Sequence, residues 1–202
     1  MLAKVVFVHG VPVPGNHSSG NRWGGVRVVH KKDPRASLIP TGIRAAMRKP
    51  LPESHPFVMD VYSTVASFLD SNEKGKLVLS GHSYGGEVAN LVAAKLAHEL
   101  GAAERDRLEI ATFGSIYIPS ADTTAGMRAF NYINVGDISI VGNMDARNTV
   151  FLAHKKMAKM NSIQRHIHYP FIEYLRNSAD IRNELKAAGY LLVAGPDVLD
   201  PA

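Results

Sequence analysis

Ser83 lies at the centre of a G-x-S-x-G motif, GHSYG, which follows an apolar run at residues 76–80 and precedes a helical pattern. This order predicts a strand, a sharp turn and a helix that ends at Gly101, the expected C-cap. A serine hydroxyl on such a turn stands clear of the sheet, and the first N–H groups of the helix can donate to an oxyanion. Ser83 is therefore the candidate nucleophile. The alternative is an ordinary serine in a tight glycine turn.

A nucleophilic serine needs a general base, and the base needs an acidic group that fixes its tautomer. In α/β-hydrolases, which carry their serine on a turn of this kind, the acid and then the histidine follow the serine in the chain. Asp137 comes directly after an apolar strand and Gly136, so it should lie at the carboxyl edge of the sheet. It is the predicted acid, ahead of Asp122 and Asp145.

Three histidines follow Asp137 in the chain and are candidates for the base. His154 lies among lysines in a predicted helix, where it should face solvent. His166 and His168 lie in a short segment that is predicted to be a loop returning to the sheet edge. We predict His168 as the base and keep His166 as the alternative. His82 is too constrained beside Ser83 to act as a base, so it should pack against the turn or orient it.

An oxyanion hole needs two N–H donors beside the nucleophile. The backbone N–H of Tyr84, the residue after Ser83, is the first candidate. The second should come from the loop after the first strand, at Gly10 or Val11, because that loop adjoins the serine turn in this architecture. The alternative for Gly10 is a simple turn that ends the strand.

The elements that would position these residues alternate along the chain. Apolar runs predict strands over 2–8, 26–29, 76–80, 107–118, 129–135 and 191–193, with the rest of 11–40 mostly loop. Periodic apolar residues predict helices over 41–47, 57–69, 84–100, 147–163 and 172–188. Such alternation predicts an α/β fold, with a mostly parallel sheet and helices on both faces. We expect one domain over residues 1–202, with its site beyond the carboxyl ends of the strands.

The composition excludes several classes of site. The sequence has no cysteine, so it holds no disulfide, thiolate metal site or cysteine nucleophile. No window approaches the roughly 18 apolar residues of a membrane span. The apolar start contains Lys4 and leads into His-Gly rather than a cleavage site, which argues against a signal peptide. We expect a cytoplasmic protein, or one exported without a recognisable signal peptide.

The formal net charge is +5, and basic residues gather near residues 22–35, 44–49 and 155–159. A solvated surface explains this excess, and attraction to an anionic membrane surface is the functional alternative. The sequence shows no nucleic-acid-binding module or interleaved aromatic platform, so no nucleic-acid partner is expected.

The chain contains, in this order, the blocks GHSYGGEVANLVAAKL, IATFGS and FNYINVGDISI. They resemble the serine motif, the following strand and the acid-bearing strand of the class three lipases, which belong to the α/β-hydrolase superfamily. The resemblance runs from about residue 58 to residue 142. It extends more weakly to His168, which precedes Tyr174 as the late histidine of that family precedes a tyrosine.

The resemblance implies a serine hydrolase of the α/β-hydrolase fold that cleaves a carboxylic ester through an acyl-enzyme. The expected triad is Ser83, His168 and Asp137, and the favoured substrate is a lipid or phospholipid acyl ester. A hydrolase of small esters or thioesters is the nearest alternative, and a non-catalytic binding module with a hydrolase fold is the alternative from another class. This chemistry requires no metal or organic cofactor.

Overall fold

A single mixed sheet organises the computed structural model, which describes residues 2–11, 22–23, 26–46, 49–71, 74–124, 126–141, 149–169 and 181–194. Within these residues the sheet has eight strands in the order β2-β3-β1-β4-β5-β6-β7-β8. The strands are β1 (Leu2–Val8), β2 (Arg22–Trp23), β3 (Val26–Lys31), β4 (Lys76–His82), β5 (Leu108–Phe113), β6 (Arg128–Asn134), β7 (Thr149–Ala153) and β8 (Leu191–Ala194). The six strands from β3 to β7 in this order pair in parallel, whereas β2 and β8 close the two ends in antiparallel pairs.

Helices connect the strands. The described α-helices are α1 (Leu38–Ala46), α2 (Pro56–Asp70), α3 (Tyr84–Glu99), α4 (Ala102–Arg105), α5 (Ser162–Ile167) and α6 (Ile181–Ala187). Short 3₁₀ turns span Ala121–Thr124, Ile138–Val141 and Lys155–Lys159. None of the helices in the described part of the chain is long and apolar enough to span a membrane.

Two apolar clusters cover the two faces of the sheet. The first joins Val6, Val8 and the alternate residues of the neighbouring strands to the buried sides of α2 and α3. The second joins Val5, Phe7 and the residues between them on the other strands to α6 and Tyr169. Because side chains alternate across a strand, β1, β3, β4, β5 and β6 each place side chains against both clusters, whereas β7 contributes only to the second. Burial on both faces explains why β1 is apolar over most of its length. The predicted α/β fold, with helices on both faces of a mostly parallel sheet, is confirmed.

The predicted helix over residues 147–163 is wrong. Thr149–Ala153 is strand β7, which pairs with β6 and β8, and Lys155–Lys159 is a 3₁₀ turn. Val150, Met157 and Met160 have helical spacing, but Val150 and Met157 are buried in the second apolar cluster by two different elements. Packing against the sheet therefore overrides the periodicity.

Smaller differences concern the ends of elements. The helix after Ser83 has its C-cap at Leu100, and Gly101 is an extended residue that precedes α4, so the predicted glycine cap is wrong. The predicted strand over 107–118 ends at Phe113, and the helix predicted from Thr41 begins at Leu38. Of the predicted helix over 172–188, only α6 lies within the described residues; positions 172–180 lie outside them.

Candidate active site

The carboxyl edge of the parallel strands brings the predicted site residues together. Gly10 follows β1, Ser83 follows β4 and Asp137 follows β6, and these strands lie in the order β1-β4-β5-β6. Parallel strands end at the same edge, so residues far apart in the chain meet there.

Ser83 occupies a strained turn between β4 and α3. Its backbone has φ +54° and ψ −120°, and it is the only non-glycine residue with positive φ in the described part of the chain. The turn is possible because glycines flank it at close range. A Cβ on Gly81 would stand 2.2 Å from the Gly85 carbonyl oxygen, and one on Gly85 would stand 2.1 Å from the Val8 carbonyl oxygen. This is the strand-turn-helix arrangement that presents a nucleophilic serine.

A chain of hydrogen bonds runs from Ser83 through His166 to Asp137. His166 Nε2 lies 2.9 Å from Ser83 Oγ, and His166 Nδ1 lies 2.9 Å from Asp137 Oδ1. The Asp137 carboxylate only accepts, so Nδ1 carries the proton and Nε2 accepts the hydrogen bond of the Ser83 hydroxyl. His166 is therefore in the tautomer that can take a proton from Ser83.

The structure brings His166, the alternative candidate, to Ser83 and Asp137, and does not bring the predicted His168 to them in any described contact. His168 is the C-cap of α5, and its backbone carbonyl accepts a hydrogen bond of 2.9 Å from Asn134 Nδ2. The segment predicted to be a loop is a short helix that begins at a capping box formed by Asn161 and Gln164. The capping box is the sequence signal for this helix. Within a helical turn, residues 166 and 168 point to different sides, so only one of them can face Ser83.

Asp137 is held by three groups besides the strand that precedes it. Its Oδ1 accepts hydrogen bonds from His166 and from the Ser139 N–H, and its Oδ2 accepts one from the Tyr169 hydroxyl. Burial favours the neutral acid, but the hydrogen bond and charge of His166, together with the Tyr169 and Ser139 bonds, outweigh it and lower the pKa of Asp137. The carboxylate therefore stays ionised beside His166.

Tyr169 is a site residue that sequence reasoning missed. Its hydroxyl donates to Asp137 and accepts from the Asn134 N–H at 2.7 Å. Burial and the Asp137 charge raise the pKa of Tyr169 well above its ordinary value, so the hydroxyl keeps its proton. Its position three residues after His166 is the signal that could have identified it, because both side chains reach the same carboxylate.

The predicted oxyanion donors lie beside Ser83. Tyr84 is the first residue of α3, so its N–H has no acceptor within the helix. Gly10 approaches so closely that a Cβ on it would stand 3.2 Å from Ser83 Cβ. Val11 follows Gly10 in the chain and is buried. The structure thus brings Tyr84 and Gly10 to the serine turn.

The side chain of Tyr84 is held by contacts with residues that precede it in the chain. Its hydroxyl donates to the buried Asp33 carboxylate, and its ring stacks on Phe57 at a centroid distance of 6.3 Å. The Arg44 guanidinium lies 5.9 Å from the ring centroid. Burial and the Asp33 contact raise the pKa of Tyr84, which keeps it a hydrogen-bond donor. These contacts hold the side chain of Tyr84, the residue whose N–H is the predicted oxyanion donor.

Two further histidines lie near the site. His82 is buried, and its Nε2 lies 2.9 Å from the backbone carbonyl oxygen of His166. His9 Nε2 lies 2.9 Å from His30 Nδ1. Burial, followed by neighbouring positive charge, lowers the pKa of both His82 and His9 to about 4. Both rings are therefore neutral at pH 7. The described residues contain no cluster of three or more side chains suited to hold a metal ion.

Comparison with known proteins identifies a family. The family described as Lipase (class 3) matches residues 27–145. A search of curated proteins found no match. Solved structures that match include a Trichoderma reesei cutinase in complex with a C11Y4 phosphonate inhibitor. That chain is 19% identical, with a TM-score of 0.43, and the match covers 91% of this chain and 73% of the cutinase. Because the family match spans more than half of the 202 residues, the chain belongs to the class 3 lipases, serine carboxylic ester hydrolases of the α/β-hydrolase fold.

Proposed function

We propose that this protein hydrolyses a lipid or phospholipid acyl ester with Ser83 as nucleophile, His166 as general base and acid, and Asp137 as the group that orients His166. The observation that carries the proposal is the unbroken hydrogen-bond chain from Ser83 Oγ through both ring nitrogens of His166 to Asp137. A non-catalytic binding module needs no such chain, so the geometry favours catalysis.

In the first half-reaction, Ser83 Oγ attacks the ester carbonyl carbon while its proton passes to His166 Nε2. The imidazolium that forms is stabilised by Asp137. The N–H of Tyr84 and an N–H from Gly10 or Val11 donate to the negative oxygen of the tetrahedral intermediate. When the intermediate collapses, the ester C–O bond breaks and His166 returns the proton to the leaving alcohol. The product is an acyl ester on Ser83.

In the second half-reaction, water attacks the acyl carbon and gives its proton to His166 Nε2. The second tetrahedral intermediate uses the same N–H donors. Its collapse breaks the bond to Ser83 Oγ, which takes the proton back from His166. The carboxylic acid leaves, and the serine is restored without any cofactor.

An acyl chain of several carbons suits the surroundings of the site. Val135 and Ile138 flank Asp137, and Ile163 and Ile167 lie on the helix that carries His166; all four are exposed apolar side chains. A long acyl chain would cover part of this surface, whereas a small ester or thioester would not. The lipid ester is therefore favoured over the smaller substrates.

The test is hydrolysis of p-nitrophenyl esters from short to long acyl chains, with labelling by a fluorophosphonate as a second readout. Ser83→Ala should lose both activity and labelling, with a fall in rate of about 10⁴-fold or more. Ser63→Ala, which removes an exposed hydroxyl on α2 that bonds to the Met59 carbonyl, is the matched control and should keep both. Activity that survives in Ser83→Ala would contradict the proposal. A wild-type protein that hydrolyses no ester and is not labelled by the fluorophosphonate would also contradict it. The chain-length profile separates lipid esters from small ones.

A specific charge pattern also favours an anionic membrane surface as a partner. Lys155, Lys156 and Lys159 are exposed on the 3₁₀ turn before α5, and residues 149–169 contain no aspartate or glutamate. The exposed Ile163 and Ile167 follow directly. We propose that these lysines attract anionic headgroups and that the isoleucines contact the lipid, which would bring the site to its substrate.

Co-sedimentation with vesicles of phosphatidylcholine and phosphatidylglycerol tests this surface. Binding at low salt should weaken as salt rises, since screening reduces the attraction. Lys155→Glu with Lys156→Glu should weaken binding about tenfold or more, at roughly 1 kcal/mol for each lysine near the surface. The control pair Lys74→Glu with Lys76→Glu makes the same charge change at the amino end of β4, away from the carboxyl ends where the site lies. This pair should bind like the wild type. Equal losses in both pairs would show an effect of net charge alone. Loss of binding in Ser83→Ala would also contradict the proposal.

The location that we propose is the cytoplasm, with export as the alternative. A chain without cysteine suits a reducing compartment, although it needs none. Fractionation of the source cells, with the protein detected by antibody, distinguishes the two.

A further inference from the structure

His82 lies between the two parts of the chain that supply the nucleophile and the base. It is the last residue of β4, directly before Ser83, and its side chain is 8% exposed. Its ring centroid lies 5.3 Å from that of His166 and 5.6 Å from that of Tyr169. No step of the proposed reaction uses this ring, so its burial beside the site requires a reason.

The hydrogen bond from His82 acts on the backbone of the residue that carries the base. His82 Nε2 lies 2.9 Å from the carbonyl oxygen of His166. A carbonyl oxygen only accepts, so Nε2 must carry a proton and donate. This contact ties the main chain of His166 to the strand that ends at Ser83.

The end of α5 is held to the sheet at three carbonyl groups. Asn134 Nδ2 donates to the carbonyls of Arg165 and His168, at 2.7 and 2.9 Å. The bond from His82 holds the carbonyl of His166. Asn134 therefore holds the carbonyls of one residue before and one residue after His166, and His82 holds the carbonyl of His166 itself.

The other side of the His82 ring faces the predicted oxyanion loop. A Cβ on Gly10 would stand 3.3 Å from His82 Nδ1 and 3.0 Å from the His82 carbonyl oxygen. The ring therefore fills the space between Gly10 and the turn that carries His166. Its lowered pKa, about 4, keeps it neutral, so that no positive charge lies beside the imidazolium that His166 becomes during the reaction.

We propose that His82 is a positioning residue, whose Nε2–H holds the main chain of His166 so that its imidazole stays within hydrogen-bond distance of Ser83 Oγ. This inference rests on the proposed function and adds a residue to it. A displacement of the base by about 1 Å can cost about 100-fold in rate, so one backbone contact is enough to matter.

Three substitutions separate the donor from the bulk of the ring. His82→Gln places an amide nitrogen near the position of Nε2, His82→Asn places one near Nδ1, and His82→Leu has no donor. We expect kcat to fall about 10- to 100-fold in His82→Leu and His82→Asn, with KM changed less than about threefold, and His82→Gln to recover most of the loss. Ser80→Ala is the matched control. Its hydroxyl also donates from β4 to a backbone carbonyl, that of Ala111, but it does not touch the site.

Nuclear magnetic resonance of ¹⁵N-labelled histidine gives a readout that does not depend on activity. In the wild type and in His82→Gln, His166 should show a protonated Nδ1 and one set of ring signals. In His82→Leu and His82→Asn, those signals should shift or broaden, while Ser80→Ala leaves them unchanged. If the wild type proves inactive and unlabelled, the proposed function fails, and the ring signals still decide whether His82 positions His166.

Several outcomes would overturn the inference. Wild-type kcat and His166 signals in His82→Leu would show that the contact is dispensable. Equal losses in all three His82 variants would show that the ring matters for its shape and not for its donor. If His82→Leu fails to fold, the comparison of His82→Gln with His82→Asn decides, because the two amides differ mainly in which ring nitrogen they replace.

Discussion

The two nitrogens of His166 have different roles, and the residues around them assign these roles. Asp137 accepts a hydrogen bond from the N–H of Nδ1, which leaves the lone pair of Nε2 directed at Ser83. Tyr169 and the Ser139 N–H hold the carboxylate from two other directions. An ionised, well-held carboxylate keeps His166 in one tautomer, which a base needs at every turnover.

Replacement of the two neighbouring histidines should have very different effects. His166→Ala removes the base and should lower kcat/KM by about 10³- to 10⁴-fold or more. His168→Ala should stay within about threefold of the wild type, because the ring that lies within hydrogen-bond distance of Ser83 and Asp137 is that of His166. Ester hydrolysis and the rate of fluorophosphonate labelling measure both variants, with thermal unfolding as a check on folding. Equal losses of kcat/KM in the two variants would contradict the assignment of His166 as the base.

Ser83 and Asp137 can be proposed from the sequence alone, whereas the choice of the histidine depends on the structure. Ser83 lies in a local motif, and Asp137 directly follows a strand, so neither prediction needs a tertiary contact. His166 and His168 are two residues apart, and the choice between them depends on the helical turn that contains His166. Tyr169 and His82 lie close in the chain to His166 and Ser83, but their contacts with Asp137 and with the His166 carbonyl join distant parts of the chain, so the sequence does not reveal what they touch.

At the scale of elements, the serine turn depends on two main-chain approaches. Strand β1 passes so close to α3 that Gly85 nearly touches the Val8 carbonyl, and Gly81 lies against the Gly85 carbonyl. At these two glycines the main chains of β1, β4 and α3 approach one another with no side chain between them. A side chain at either glycine would force β1, β4 and α3 apart.

Two glycine substitutions should have opposite effects on stability. Gly85→Ala should cost about 3 kcal/mol or more, because its Cβ would meet a backbone oxygen that cannot move without the sheet. Gly42→Ala, in the exposed middle of α1 with no atom within 4 Å of the new Cβ, should stabilise the protein by about 1 kcal/mol. Urea unfolding of both variants measures the difference. A tolerated Gly85→Ala would contradict the close approach of β1 to α3.

Elements with a strong apolar pattern were predictable, whereas those defined by their neighbours were not. Strand β1 and helix α2 match their predicted positions within one residue, since their apolar residues have one clear period. The sequence around β7 predicts a helix, because five strand residues are too few to show alternation and lysines follow closely. Its pairing with β6 decides its conformation, and pairing is a property of the whole sheet.

At the scale of the whole molecule, the buried His82 and the half-buried His9 link stability to pH. His82 and His9 have pKa values lowered to about 4 in the folded protein, from 6.5 in an exposed chain. Between these values the unfolded chain binds protons that the folded protein does not. The free energy of unfolding should therefore decrease as pH falls from about 6.5 to 4. Asp137 acts at lower pH, since its stabilising contribution is lost only as pH falls through its own depressed pKa.

His82→Gln should flatten this dependence on pH. Each unit of difference between the folded and unfolded pKa corresponds to about 1.4 kcal/mol, and His82 is buried, so its share should be measurable. Urea unfolding at pH 4, 5, 6 and 7 gives the slope. The control His98→Gln removes an exposed histidine near the end of α3 and should leave the slope as in the wild type. An unchanged slope in His82→Gln would contradict the neutral buried ring.

The positive φ of Ser83 has a consequence for directed evolution. A left-handed backbone conformation suits glycine better than any residue with a Cβ, so Ser83→Gly should make the fold more stable while it removes the hydroxyl. A library selected for heat resistance alone would enrich glycine at position 83 and accumulate inactive proteins. Selection for stability must therefore hold this codon fixed, because here the most durable sequence and the working one diverge.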